Sequence, residues 1–222
     1  ALQGLPERDR ARVLKYRNVK DRHHSLVSVL MQRSLIQRTF QVTEEEYSIL
    51  RTAENKPYLC LGPRDGEKGT WNYNVSHQGD FVCILSHPRL LVGVDIVEVK
   101  LRATWRAGVP AYIDLFKGNQ FSAAEVQRML QQSDPLTHFF INWSMKEAFI
   151  KAIGTGLYYE LETIEFVIVY DSPRTGGEVR GTAQVWLNKV LQPKWSFAFC
   201  SLNETHIVSV ATGPVDDAAD SF

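Results

Sequence analysis

Leu136-Thr137-His138-Phe139-Phe140-Ile141-Asn142-Trp143-Ser144-Met145-Lys146-Glu147-Ala148-Phe149-Ile150-Lys151-Ala152-Ile153 is the stretch on which the fold turns. At about 100° per residue its apolar side chains face nearly every direction, and a helix apolar all round belongs in an interior. Asp134-Pro135 opens it, with Pro tolerated in the first turn, and Gly154 and Gly156 end it. Ser144, Glu147 and Lys151 fall on one stripe about 60° wide, while Lys146 lies on the far side near Asn142. Buried charges are costly unless paired or bound to an ion. Two arrangements satisfy this. One is a plain i, i+4 Glu147–Lys151 pair, worth roughly 0.3–0.5 kcal/mol. In the other the two side chains line a cleft, one holding a metal and one a phosphate.

Asp95 presents the same problem in a strand. It interrupts Leu90-Leu91-Val92-Gly93-Val94-Asp95-Ile96-Val97, and alternation puts Gly93 and Asp95 on one face. A glycine inside a strand marks close approach by a ligand or another backbone. Upstream, Trp71 to Val75 and Asp80 to Ser86 read as strands joined to this one by short turns. Asn74-Val75-Ser76-His77 is no hydrolase dyad, because neighbours on a strand face opposite ways and no G-x-S-x-G elbow is present. Its Ser and His, followed by Gln78-Gly79, suit hydrogen bonds to phosphate oxygens.

Helical patterning covers Pro6 to Phe40 with a break near Asn18. This region carries nine Lys/Arg against three Asp/Glu, which reads either as a solvated face or as a local anion site. Thr43 and Glu46 form a capping box, Asn55-Lys56-Pro57-Tyr58 a turn into a strand, and Gly62 to Gly69 a loop. Arg102 to Gly118 reads as irregular. Ser122 and Glu125 cap a helix, and four strands follow the long helix, at Glu162–Asp171, Gly181–Lys189, Trp195–Leu202 and His206–Thr212. The expected fold class is therefore α+β, with two similar lobes, each of helices packed on a mainly antiparallel sheet. The first lobe covers 1–101, the second 102–214, and a frayed acidic tail 215–222.

Across the 222 residues, 25 Lys/Arg balance 25 Asp/Glu, which argues against a polybasic nucleic-acid or membrane binder. No apolar run nears the ~20 residues of a membrane span. Cys60, Cys83 and Cys200 are scattered, with no C-x-x-C pair, which suits a reducing compartment, most simply the cytoplasm.

Taken in order, Asn55-Lys56-Pro57, Asn74-Val75-Ser76-His77, Val92-Gly93-Val94-Asp95 and Trp143 to Gly154 resemble the motifs of 4'-phosphopantetheinyl transferases. The likeness is to the large pseudo-dimeric, surfactin-type class, in its aminoadipate-semialdehyde dehydrogenase phosphopantetheinyl transferase branch. It runs from about Pro6 to Thr212. It implies a monomeric enzyme that moves the phosphopantetheine arm of coenzyme A onto a carrier-protein serine, releasing adenosine 3',5'-bisphosphate. Carried over by motif, Asp95 and Glu147 would hold Mg²⁺ and Lys151 would neutralise the transferred phosphate, with Glu147, or a metal-bound water beside it, the base. Arg12, Arg51 and the turn Thr52-Ala53-Glu54-Asn55-Lys56 would bind the nucleotide end. Asn74, Val75, Ser76 and His77 would meet the phosphates, Ser76 near the 3'-phosphate and His77 near the diphosphate.

Two departures from the family pattern stand out. Many members carry a second carboxylate two residues after the Asp, where this chain has Val97, and Glu98 would point to the other face. A water or Gln78 is the expected substitute ligand. Members also usually have a further strand before the counterpart of Pro6, so the first lobe is the expected weak point, and a non-catalytic coenzyme A binder is the alternative function. The carrier is expected to dock on Arg102 to Gln120, through Trp105, Tyr112 and Phe116.

Overall fold

The computed structural model describes residues 2–156, 159–171 and 178–218. Helices α1 (Glu7–Leu14) and α2 (Val19–Phe40) come first, broken where the Asn18 side chain caps α2 by accepting from Lys20 N–H. A small hairpin, β1 (Ser48–Arg51) and β2 (Pro57–Cys60), packs with α2 around Ile36, Val42, Tyr47, Leu59, Trp71 and Tyr73. The expected loop after it is helical: a 3-10 turn at Gly62–Arg64 leads into α3 (Asp65–Lys68). The cause is Asp65, whose carboxylate accepts from Leu61 N–H at 2.6 Å and pairs with Lys68 at 3.3 Å.

The three strands β3 (Asn72–Gln78), β4 (Phe81–His87) and β5 (Leu91–Glu98) do not form one sheet. β3 and β4 make a separate hairpin, whereas β5 pairs antiparallel with β10 (His206–Gly213), its residues 91–98 facing 213–206 in register. By hydrogen bonding, the last strand of the N-terminal stretch thus serves the C-terminal sheet. That sheet runs β5-β10-β9-β7-β6, with β6 (Ile164–Tyr170), β7 (Arg180–Leu187), β8 (Val190–Leu191, on β7) and β9 (Ser196–Ser201).

β3 and β5 are joined by side chains in place of a backbone ladder. Asn72, Asn74 and Ser76 accept from the amides of Val92, Val94 and Ile96 at 3.0, 3.0 and 3.2 Å. Every second side chain of β3 meets every second amide of β5, so the buried edge of the large sheet is satisfied by polar side chains.

The segment read as irregular contains α4 (Gly108–Asp114), followed by α5 (Ala123–Leu130) with its Ser122–Glu125 capping box intact. Tyr112 is buried, and its ring packs edge-on against Trp105, Phe116 and Phe139. The long helix α6 (Pro135–Ile153) lies across the large sheet, capped by Asp134 and ended by left-handed Gly154. Lys146, on its far side as the spacing predicts, is fully buried and donates to Glu125 and to the carbonyls of Gln120 and Leu161. At the C-terminal end, Asp217 accepts from the Trp195 indole at 2.7 Å and Val215 packs on the core, while residues 219–222 lie outside the described residues. Among the described residues no helix is long and apolar enough to cross a membrane.

Removing one rung of the β3–β5 junction leaves a buried amide without an acceptor, which costs about 1–3 kcal/mol. Asn74→Ala is therefore expected to lower unfolding stability in urea by that amount; a loss below about 0.5 kcal/mol, the scatter of neutral surface changes, would contradict the junction.

Candidate active site

Small side chains set the site. On the sheet face of α6, Ser144 Oγ meets Ser209 Oγ of β10 at 2.5 Å. Ala148 and Ala152 cross directly over Gly93, where a Cβ would overlap the Ala148 carbonyl oxygen and stand 2.7 Å from the Ala152 nitrogen. The backbone that Gly93 admits is thus the helix. This close approach brings Glu147 and Lys151 down to the level of Asp95.

Lys151 Nζ donates to Asp95 Oδ1 at 2.5 Å and to Ser76 Oγ at 3.0 Å, and Ser76 Oγ donates to the same Asp95 oxygen at 2.9 Å. Lys151 therefore takes its carboxylate from the strand, and the i, i+4 pairing with Glu147 is not the arrangement adopted. Asp95 is 6% exposed, and burial holds its carboxyl above the usual range against the pull of Lys151. Burial raises Glu147 too, and the charge of Asp95 raises it further. Asp95, Glu147, Lys151, Ser76 and Gln78 line one cavity of about 490 Å³, with Trp143 on its wall.

A buried carboxylate beside a half-buried one whose charge it disfavours is the electrostatic setting a divalent cation relieves. Among the described residues no group of three His, Cys, Asp or Glu could ligate a metal. Val97 occupies the next inward position of β5, and Glu98 instead pairs with Lys100 at 3.5 Å. A two-carboxylate, all-oxygen set suits Mg²⁺, which commonly takes one or two carboxylates and completes its shell with water and substrate phosphates. The residues present fit that ion.

A second cleft of about 420 Å³ shares His77, Glu147 and Lys151 with the first. Its far wall carries Arg12 of α1 and Arg51 of β1. Arg51 is lowered to about 10 by burial and then by the charge of Arg12, a repulsion that an anion between them would remove. The turn after Arg51 is folded by Thr52, which exchanges backbone bonds with Lys56 and Asn55. Asn55 takes a left-handed φ of 72° and accepts from Arg51. Glu54, Asn55 and Lys56 line the cleft, whereas Thr52 and Ala53 shape the turn without lining it. Lys56 is buried, lowered to about 8 by desolvation, and donates to the Ala152 carbonyl at 2.5 Å near the end of α6.

Of the β3 residues, Asn74 lines the second cleft, Val75 lines both, and Ser76 is buried with Asp95 and Lys151. His77 faces the cleft, stacked on His24 of α2 at 4.8 Å, and is lowered by burial and then by His24 and Lys151. One wall escaped sequence reading: Asp21, Ser25, Ser28 and Gln32 of α2, with Tyr16, also line this cleft. Gln32 bonds Ser28 at 2.9 Å and receives the Tyr73 hydroxyl at 3.1 Å. The signal was a polar stripe at spacings of four, three and four residues, masked by the charges around it.

Comparison with known proteins agrees along most of the chain. Residues 1–89 match the family described as 4'-phosphopantetheinyl transferase, N-terminal, and residues 91–211 match the 4'-phosphopantetheinyl transferase superfamily. The L-aminoadipate-semialdehyde dehydrogenase-phosphopantetheinyl transferase of Homo sapiens is 29% identical over 216 residues, covering 95% of this chain and 68% of its own length. A phosphopantetheinyl transferase from Thraustochytrium sp. is 30% identical over 217 residues, covering 94% and 70%. Among solved structures, the Thermotoga maritima holo-[acyl-carrier-protein] synthase aligns with a TM-score of 0.36 and 16% identity, over 56% of this chain and 64% of that one. That last likeness is too loose to bear on the site. With one family description ending just before β5 and the other beginning at its first residue, both halves lead to one conclusion: the chain belongs to the 4'-phosphopantetheinyl transferase superfamily and is a transferase.

Proposed function

We propose that the chain transfers 4'-phosphopantetheine from coenzyme A to a serine of an acyl or peptidyl carrier protein, releasing adenosine 3',5'-bisphosphate. The observation that carries this reading is the pairing of the Asp95–Glu147–Lys151 cavity with an adjoining cleft whose far wall is cationic. Arg12, Arg51 and Lys56 hold the nucleotide end and its 3'-phosphate, and His77 meets the diphosphate. Asp95 and Glu147 would hold Mg²⁺, which when bound would neutralise charge on the diphosphate. Lys151, already directed at the junction of the two spaces, neutralises the phosphoryl group in transfer. The serine oxygen bonds to the phosphorus bearing the pantetheine arm, and the bond to the adenosine-side phosphate oxygen breaks. Glu147, on the wall shared by the two spaces, takes the serine proton.

The carrier approaches along a groove of about 250 Å³ whose aromatic wall of Tyr112, Phe116, Phe139, Phe140 and Trp143 faces a polar edge of Gln78, Glu98 and Arg102. This groove continues from the carboxylate cavity across Gln78, Val97 and Trp143. Tyr112 shapes the groove from within the core and is not an exposed contact.

Incubation with coenzyme A, Mg²⁺ and an apo-carrier protein is expected to add roughly 340 Da to the carrier. Asp95→Asn and Glu147→Gln are each expected to cut the rate at least about 100-fold. Chelation should abolish it and added Mg²⁺ restore it; binding of coenzyme A without any mass shift would leave only the non-catalytic reading. Phe116→Ala is expected to raise the carrier KM severalfold and leave the coenzyme A KM unchanged, and an unmoved carrier KM would place docking elsewhere. An anion beside Lys56 draws its pKa from about 8 back toward 10.5. The folded lysine is partly deprotonated above about 8, so donor binding at pH 8–9 takes up protons. Calorimetric binding heats should then change with the ionisation enthalpy of the buffer, and identical heats in phosphate and Tris would refute this role for Lys56.

A further inference from the structure

The tip of the β3–β4 hairpin is gripped from both sides. Gly79, with φ +62°, forms the turn immediately after His77-Gln78. On the α2 side its carbonyl accepts from His24 Nε2 at 2.9 Å. The same His24 ring stacks on His77 at 4.8 Å with planes 26° apart. One turn earlier, Lys20 pairs with Asp80 at 3.0 Å. On the β10 side, a Cβ on Gly79 would overlap His206 Nε2 and lie 2.9 Å from its Cε1. His206 is itself fixed by Thr205 at 2.9 Å and leans on Phe81 at 5.0 Å. A glycine with positive φ is the residue that meets both demands.

We propose that His24 is a positioning residue for the transfer, holding the His77 imidazole at the junction of the two spaces so that it meets the donor's phosphates without first losing rotamer freedom. The inference rests on the reading of His77 as a phosphate contact. One hydrogen bond fixes where His24 sits, and its ring then fixes where His77 points. His206 supplies the opposing wall, so the turn cannot retreat when His24 bears on it. Preorganised contacts of this kind lower the ordering cost of binding.

A double-mutant cycle tests it, with wild type, His24→Ala, His24→Phe, His77→Ala and His24→Ala/His77→Ala compared by KM for coenzyme A, KM for the carrier, kcat and Tm. His24→Ala is expected to raise the coenzyme A KM about tenfold, the scale of one lost hydrogen bond, with the carrier KM within about twofold. Its Tm should stay within about 4 °C of wild type. His24→Phe keeps the stack and is expected to recover part of the loss; it also carries the test if the alanine variant fails to fold. In the His77→Ala background, His24→Ala should change nothing further, because its action passes through His77. Additive losses, equal rises in both KM values, or wild-type kinetics for His24→Ala would each overturn the proposal while leaving the transferase reading intact. Wild-type kinetics for His77→Ala would overturn it together with the role of His77.

Discussion

The site depends on how β3 is fastened to β5. A sheet edge needs partners for its outward amides, and here they come from Asn72, Asn74 and Ser76. The consequence is functional as well as structural. Because Ser76 is both the last rung and the hydrogen-bond donor to Asp95, the interaction that closes the edge also orients the carboxylate. An ordinary backbone ladder would not supply that coupling, because its bonds carry no side-chain chemistry. The hairpin and the large sheet are therefore registered to each other at the residues that line the cavity.

On the other side of Asp95, contact distance is set by the absence of side chains. Gly93, Ala148 and Ala152, with the Ser144–Ser209 pair, let α6 lie closer to the sheet than leucines would allow. That closeness explains why Lys151 reaches Asp95 while staying on the wall of the cleft that carries Arg12 and Arg51. Within this neutral molecule the two carboxylates Asp95 and Glu147 sit at one end of the region and the guanidiniums of Arg12 and Arg51, with Lys56, Asp21 and Glu54, line the other, with Lys151 between.

Much of this was legible from residue types. Asp95 in an apolar strand and Glu147 and Lys151 on an apolar helix are polar groups where periodicity forbids them, and the Gly93 gap foretold a close backbone. The break at Asn18, the Asp134-Pro135 start and the Gly154 stop follow from local chemistry, so they needed no tertiary information. Sequence reasoning failed where distant contacts decide. Nothing in Leu91 to Glu98 says that its partner is β10, more than a hundred residues later, and not its neighbour β4. Asp65 nucleated a helix inside a Gly-rich stretch, and Tyr112 was buried in part by Phe139, which comes from another helix. The α2 wall was hidden because serine and glutamine on a helix look solvent-facing until the opposite side of a cleft is known.

Lys56 anchors the β1–β2 turn to the carbonyl of Ala152, five positions beyond Glu147 on the same helix. At about 1.5 Å per residue, that span is about 7.5 Å along the axis. The rod thus acts as a ruler: the interval between the loop beside the guanidiniums and the paired acids is fixed by helical pitch.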